Sequence, residues 1–125
     1  MTLNDYQKRA METCMPSCMN YSYMMGNLAA EVGEFSGKVQ KSHRRGEITY
    51  SSDGDIWWNT ETQELGDRAI EMNQDRMKEA GDILWQLAGL CRVMGWNLDT
   101  IAQMNLDKLA DRKARGVIDG SGDNR

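Results

Sequence analysis

Pro16 is the only proline in the chain, so everything after it is free of the residue that most strongly breaks helices. Along that stretch apolar residues recur at spacings of three and four, the period of one helix face. Met24, Leu28, Val32, Phe35 and Val39 form one stripe, and Leu65, Ala69, Met72, Ala80, Ile83, Leu87, Leu90 and Met94 form another. Ten methionines against a single phenylalanine suit adaptable helix packing better than strands. The pattern predicts an all-α fold, an antiparallel bundle of four to five helices.

Local signals set the boundaries. A first helix starts near Asn4 as its cap and stops at Met15-Pro16, because proline disfavours helical geometry in the residue before it. A second runs from about Tyr21 to Arg44 and is ended by Gly46. Residues 46–60, GEITYSSDGDIWWNT, break every period and read as an irregular loop insertion with room for a short extended piece. The helical stripe resumes at Glu61 and reaches Gly95, as one helix or two. A last helix begins at Asn97 or Asp99 and stops before Gly116, leaving residues 116–125 as a polar tail expected to be flexible unless substrate or a partner orders it.

At 125 residues the chain has room for a single domain, 1–125, and enough apolar surface for a core without staples. Its net charge of -4 argues against a nucleic-acid polymer as partner. No apolar run approaches the roughly 18 residues that span a bilayer, and MTLNDYQKRA lacks a secretory apolar core, so a soluble, cytoplasmic protein with no membrane partner is expected. Cys14, Cys18, Cys91 and the lone His43 make a poor zinc set and a poor disulfide framework, which leaves reduced thiols.

The informative feature is a pair of acidic doublets, Glu31-x-x-Glu34 and Glu79-x-x-Asp82, each at the i, i+3 spacing of one helix face. With the apolar stripe at zero, Glu31 and Glu34 fall at about -60° and -120°, and Glu79 and Asp82 at about -40° and -100°. Packed antiparallel, the two stripes bring the four acids to the rim of their seam. Two like charges about 5 Å apart at an effective dielectric near 20 repel by roughly 3 kcal/mol, so the cluster calls for a cation. An all-oxygen set suits Mg²⁺, with Mn²⁺ as a substitute. Either doublet alone is ordinary solvated helix surface. The flanking small residues, LAAEVGE and EAGD, shift the balance, because Gly33 and Gly81 each cost a helix about 1 kcal/mol and a closely approaching backbone or ligand would explain them.

LAAEVGE, KEAGDILWQLAGL and NLDKLADRKARG together resemble the all-α nucleoside triphosphate pyrophosphohydrolases of the MazG-like group. The resemblance covers roughly residues 20–45 and 76–116, and the closing GSGDNR is similar to some small members. It implies a helical, Mg²⁺-dependent enzyme that cleaves a nucleoside triphosphate between the α and β phosphates, releasing monophosphate and pyrophosphate. It also implies a homodimer or homotetramer. Glu31, Glu34, Glu79 and Asp82 match the catalytic, metal-binding acids, one of which also takes the proton from the attacking water. Asn105, Lys108 and Arg112 match a downstream set that holds phosphate oxygens, although a solvated charged face is an equal reading for the two cations and a satisfied buried amide a competing one for Asn105.

Other side chains are candidates by position. Lys38 lies on the face of the acids, within reach of a phosphate, and Gln86 lies one turn beyond Asp82, where sugar or base would sit. Trp57 and Trp58 can stack on a nucleobase or pin the insertion to the body. Tyr6 and Gln7 resemble positions that approach the base in some relatives, and Trp85, opposite the core stripe, reads as a subunit contact. The 44 residues between Glu34 and Glu79 exceed the spacing of compact members, which bears on substrate choice and assembly. The rival from another class is a non-catalytic helical protein-interaction module. A di-iron carboxylate bundle is disfavoured because Glu-x-x-His is absent.

Overall fold

The computed structural model describes residues 1–125. It contains helices α1 (Leu3–Met11), α2 (Tyr21–Arg44), α3 (Gln63–Val93) and α4 (Leu98–Ala114), a 3₁₀ turn at Pro16–Cys18, and strands β1 (Ile48–Tyr50) and β2 (Ile56–Trp58). The all-α class holds, and α3 is one continuous helix. The chain forms two compact units, Ser22–Leu87 and Met1–Tyr21 with Ala88–Arg125.

In the Ser22–Leu87 unit, α2 and α3 run antiparallel. Ser42 Oγ donates to Met72 Sδ at 3.1 Å, Lys38 Nζ donates to Glu79 Oε1, and Glu31 feels the charges of Glu79 and Asp82, so numbers rise along one helix as they fall along the other. The helices are joined through the 46–60 segment, which forms a hairpin. Ile48 pairs with Trp58, Thr49 with Trp57 and Tyr50 with Ile56. Its turn is closed by Ser51 N donating to Asp55 O at 2.8 Å, around Gly54 at φ 86°. The expected loop is therefore mostly strand and tight turn. Gly46, at φ 72°, ends α2 as anticipated, with Glu47 N returning to Ser42 O at 3.0 Å.

The predicted stripe of α2 holds except at Val32, whereas that of α3 departs from the prediction beyond Met72. On α3 as far as Leu87 the buried positions are Ala69, Met72, Arg76, Glu79 and Gln86, while Ala80 and Leu87 are exposed. On α2 they are Met24, Val39 and Ser42, with Leu28, Glu31 and Phe35 half-buried and Val32 51% exposed. The expectation that both doublets sit at the rim is corrected. Glu31 and Glu79 lie in the seam, and Glu34 and Asp82 at its exposed edge.

The other unit is knit by polar side chains as much as by its small core of Ala88, Cys91 and Leu98, against which Tyr6, Met11 and Ile101 pack. The N-cap of α1 is Thr2 and not Asn4. Thr2 Oγ1 accepts from Asp5 N and Asp5 Oδ2 accepts from Thr2 N, both at 3.0 Å, a reciprocal capping box. Asn4 Oδ1 instead accepts from Asp99 N at 3.0 Å, and Asp99 Oδ1 accepts from Leu3 N at 3.1 Å. The helix also ends earlier than expected, at Met11, with Pro16 opening the 3₁₀ turn. Burial pushes the Cys91 thiol up, which keeps it protonated and unreactive.

Gln7 is buried and spends its whole amide on the backbone. Its Nε2 donates to Trp96 O at 3.0 Å and Ala88 O at 3.3 Å, and its Oε1 accepts from Leu98 N at 3.3 Å. This corrects the reading of Gln7 as a base contact. Gln7→Leu removes all three hydrogen bonds and leaves the buried Leu98 N–H without its acceptor, and an unmet buried group costs about 1–3 kcal/mol. Urea unfolding is expected to show a loss of at least about 2 kcal/mol, whereas a change under about 0.5 kcal/mol would show that solvent reaches these groups.

Candidate metal centre

Antiparallel pairing explains why acids far apart in sequence meet. Glu31 is presented by α2 and Glu79 by α3 at facing positions of one seam, and Glu34 follows one turn along α2. Glu31, Glu34 and Glu79 each offer a carboxylate oxygen, and these oxygens lie within 4.8 Å of one another. Two ligands on opposite sides of a Mg²⁺ ion, each at about 2.1 Å, stand about 4.2 Å apart, so a small side-chain rotation closes the set around an ion.

Two observations test whether the donors fit a cation. Glu79 is only 7% exposed, and its Oε2 is buried without a hydrogen-bond partner while its Oε1 accepts from Lys38. A buried carboxylate oxygen left over is expensive unless a cation fills the gap. In addition, burial, followed by the charges of Glu34, Asp82 and Glu79, pushes the Glu31 carboxyl above its ordinary value, against a smaller opposing hydrogen bond from Asn27 at 3.2 Å. A raised carboxyl means that the folded chain disfavours its ionised form, so the metal-free fold loses stability as pH rises from the ordinary glutamate value through the raised one. The three oxygens fit a hard divalent ion.

Asp82 is outside the three-oxygen set, exposed, and close enough to act on Glu31 by charge alone. Gly33 and Gly81 are not explained by a close backbone within this chain, since a Cβ at either would meet nothing within 4 Å. Gln86 is buried, with Oε1 unpartnered. Trp58 is half-buried and stacks under the Arg76 guanidinium at 4.4 Å, so it pins the hairpin, whereas its neighbour Trp57 is 64% exposed. Trp85 is half-buried and not the exposed indole expected.

In the other unit, Asn105 is exposed and not a satisfied buried amide. Lys108 and Arg112 converge on the tail. Arg112 is buried and its Nη2 donates to Asp123 Oδ1 at 3.0 Å, Asp123 O at 3.2 Å and Gly122 O at 3.3 Å, while Lys108 Nζ reaches Asp123 Oδ1 at 3.5 Å. The Arg112 hydrogen bond, then the Lys108 charge, holds the Asp123 carboxyl below its ordinary value, so this contact persists at neutral pH and weakens as pH falls through that lowered value. Sequence reasoning missed Asp123 and Arg76. Arg76 was findable, since a cation four residues after Met72 and seven after Ala69 must share their buried stripe.

Comparison with known proteins bears on this arrangement. Residues 19–117 match the family described as MazG nucleotide pyrophosphohydrolase domain. The chain is also 37% identical over 132 aligned positions, covering all of both chains, to a protein named Gene 37 protein from Mycobacterium phage L5. No solved structure matches.

Glu31→Gln separates repulsion from ligation. In chelator the variant is expected to melt about 2–5 °C above the parent, because one of the repelling seam charges is gone, and the upward shift caused by millimolar Mg²⁺ is expected to shrink to near zero. A variant that melts lower in chelator and keeps the full Mg²⁺ shift would show that Glu31 neither suffers repulsion nor binds the ion.

Proposed function

The chain belongs to the MazG nucleotide pyrophosphohydrolase family, and on that premise we propose that it hydrolyses a nucleoside triphosphate between the α and β phosphates, using Mg²⁺ or Mn²⁺. The observation that carries this reading is the meeting of Glu31, Glu34 and Glu79 oxygens beside an orphaned, buried Glu79 Oε2. Family membership implies action on a nucleotide phosphoanhydride, and the carboxylate set supplies a place for the ion that such chemistry requires.

A divalent ion held there would neutralise phosphate oxygens and make an attacking water more acidic. The chain's own residues do the rest. Glu31 and Glu79, set facing by the pairing of their helices, would hold the ion together with Glu34, and Asp82 would add its charge from the exposed edge. A glutamate oxygen left free of the ion accepts the proton of the attacking water. Lys38, held by Glu79 and half-exposed, is positioned to swing to a phosphate oxygen. Lys108 and Arg112 are assigned to phosphate because they already converge on one anionic group, Asp123, and Asn105 to the same set. Trp57 offers an exposed face for base stacking and Gln86 Oε1 an unmet acceptor for a sugar or base donor.

A homo-oligomer belongs to the same proposal. Ile70, Met77, Leu84 and Leu87 recur at helical spacing along α3, and all are exposed, Met77 at 67%. A stripe of that kind favours contact with a second copy over contact with water. No helix is long and apolar enough to cross a membrane.

Incubation of the protein with a panel of nucleoside triphosphates and Mg²⁺ is expected to release pyrophosphate and monophosphate from at least one of them. Glu79→Gln is expected to lower that rate at least about 100-fold, the scale on which removal of a positioned catalytic group acts, with helical circular dichroism unchanged. Full activity in Glu79→Gln would refute the assignment, and release of orthophosphate in place of pyrophosphate would move the cleaved bond.

A further inference from the structure

Next to the carboxylate cluster, at the hairpin end of the α2–α3 pair, lies a cavity of about 170 Å³ bordered by Lys38, Lys41, Arg45, Arg68 and Arg76 with one acid, Asp75. Five cations face one carboxylate in a space nearly six times the roughly 30 Å³ that a water occupies in the liquid. Lys38 and Arg68 are neutralised by ion pairs, the first with Glu79 and the second with Glu47 and Glu71. Arg76 is not.

Arg76 is 7% exposed, and its Nε, Nη1 and Nη2 are all buried with no hydrogen-bond partner. The Trp58 ring covers one face of the guanidinium, which contributes electrostatic attraction but accepts none of its in-plane N–H groups. Glu47 attracts it by charge without hydrogen-bonding to it, and that carboxylate is shared with Arg68 at 3.6 Å. A buried guanidinium with every donor unmet is among the most costly arrangements in a protein, and water in the cavity would satisfy donors without bringing the missing charge. A tetrahedral oxyanion brings both, since its oxygens accept the forked donors of arginine and ammonium groups from several directions.

We infer that this cavity is a phosphoryl-binding site, in which Arg76 supplies the buried charge and Lys41 and Arg45 the outer rim. The site is separate from the carboxylate cluster but touches it through Lys38, which borders the cavity and bonds Glu79. Its occupant is a phosphoryl anion, either the diphosphate end of a nucleotide or free inorganic phosphate. Only the first of these rests on the function proposed above.

The test is calorimetric titration of the protein with inorganic pyrophosphate and, separately, with orthophosphate, in chelator and at about 150 mM salt, where exposed charges are largely screened. Without metal the acids repel anions, so binding stands or falls independently of hydrolysis, and variants of cavity residues distinguish the cavity from Lys108 and Arg112. One anion is expected to bind per chain. Arg76→Gln is expected to weaken it at least tenfold, and the double variant Lys41→Gln/Arg45→Gln, which changes only exposed side chains, at least threefold. Tighter binding of pyrophosphate identifies the diphosphate end of a nucleotide, and equal or tighter binding of orthophosphate identifies the free ion. Binding of neither anion, or binding that the double variant leaves unchanged, overturns the proposal even if Arg76→Gln fails to fold.

Discussion

Mutual repulsion among glutamates is the constraint around which the Ser22–Leu87 unit is arranged. Glu31 and Glu79 occupy positions where a helix pair normally places leucine or isoleucine, and Glu34 stands one turn away. The chain answers part of that cost itself. Lys38 crosses from α2 to one oxygen of Glu79, Asn27 donates to Glu31, and the Glu31 carboxyl is displaced toward its neutral form. The other Glu79 oxygen stays buried and unmet. Such a seam is a poor way to hold two helices together and a good way to present oxygens to a cation, so an ion bound there would link its stability to its chemistry.

The second theme is that charge is segregated along one helix pair. The acids gather around Glu31 and Glu79, while cations gather toward the hairpin, where Lys41, Arg45, Arg68 and Arg76 converge. Trp58 ties the two regions to the inserted segment by stacking on Arg76, and Ile48, the fully buried residue of β1, anchors the opposite strand. The 46–60 insertion thereby steadies Arg76, a wall residue of the basic cavity, as well as connecting the helices. An acidic cluster with a neighbouring basic cavity is an arrangement that a divalent ion and a highly charged phosphate ester would complement.

Much of the fold was legible in the sequence because helix periodicity and caps are local signals. The extents of α2 and α4, the Gly46 and Gly95 stops and the Asn97 cap all follow from residues next to one another in the chain. The orientation of the helices was not legible. Val32, Ala80 and Leu87 were counted in the stripes but are exposed, and Ile70, Met77 and Leu84 add a further exposed apolar face to α3. A helix with two apolar faces carries no internal label saying which one meets its partner in the same chain. The roles of Thr2, Asn4 and Gln7 escaped for a related reason. Asn4 was equally able to cap its own helix, and only the approach of Asp99 shows what it bonds. For the candidate site, the doublet spacing exposed the acids and the stripe of Ala69 and Met72 placed Arg76 in the seam, whereas its stacking on Trp58 and the pairing of Asp123 with Arg112 are contacts that no spacing encodes.

The most direct test of the account is to locate the cation. Anomalous diffraction from crystals grown with Mn²⁺ should show a peak about 2.2 Å from oxygens of Glu31, Glu34 and Glu79, with Glu79 Oε2 among the ligands. Crystals equally rich in Mn²⁺ that show no peak between these three side chains, with the carboxylates turned apart into solvent, would contradict it.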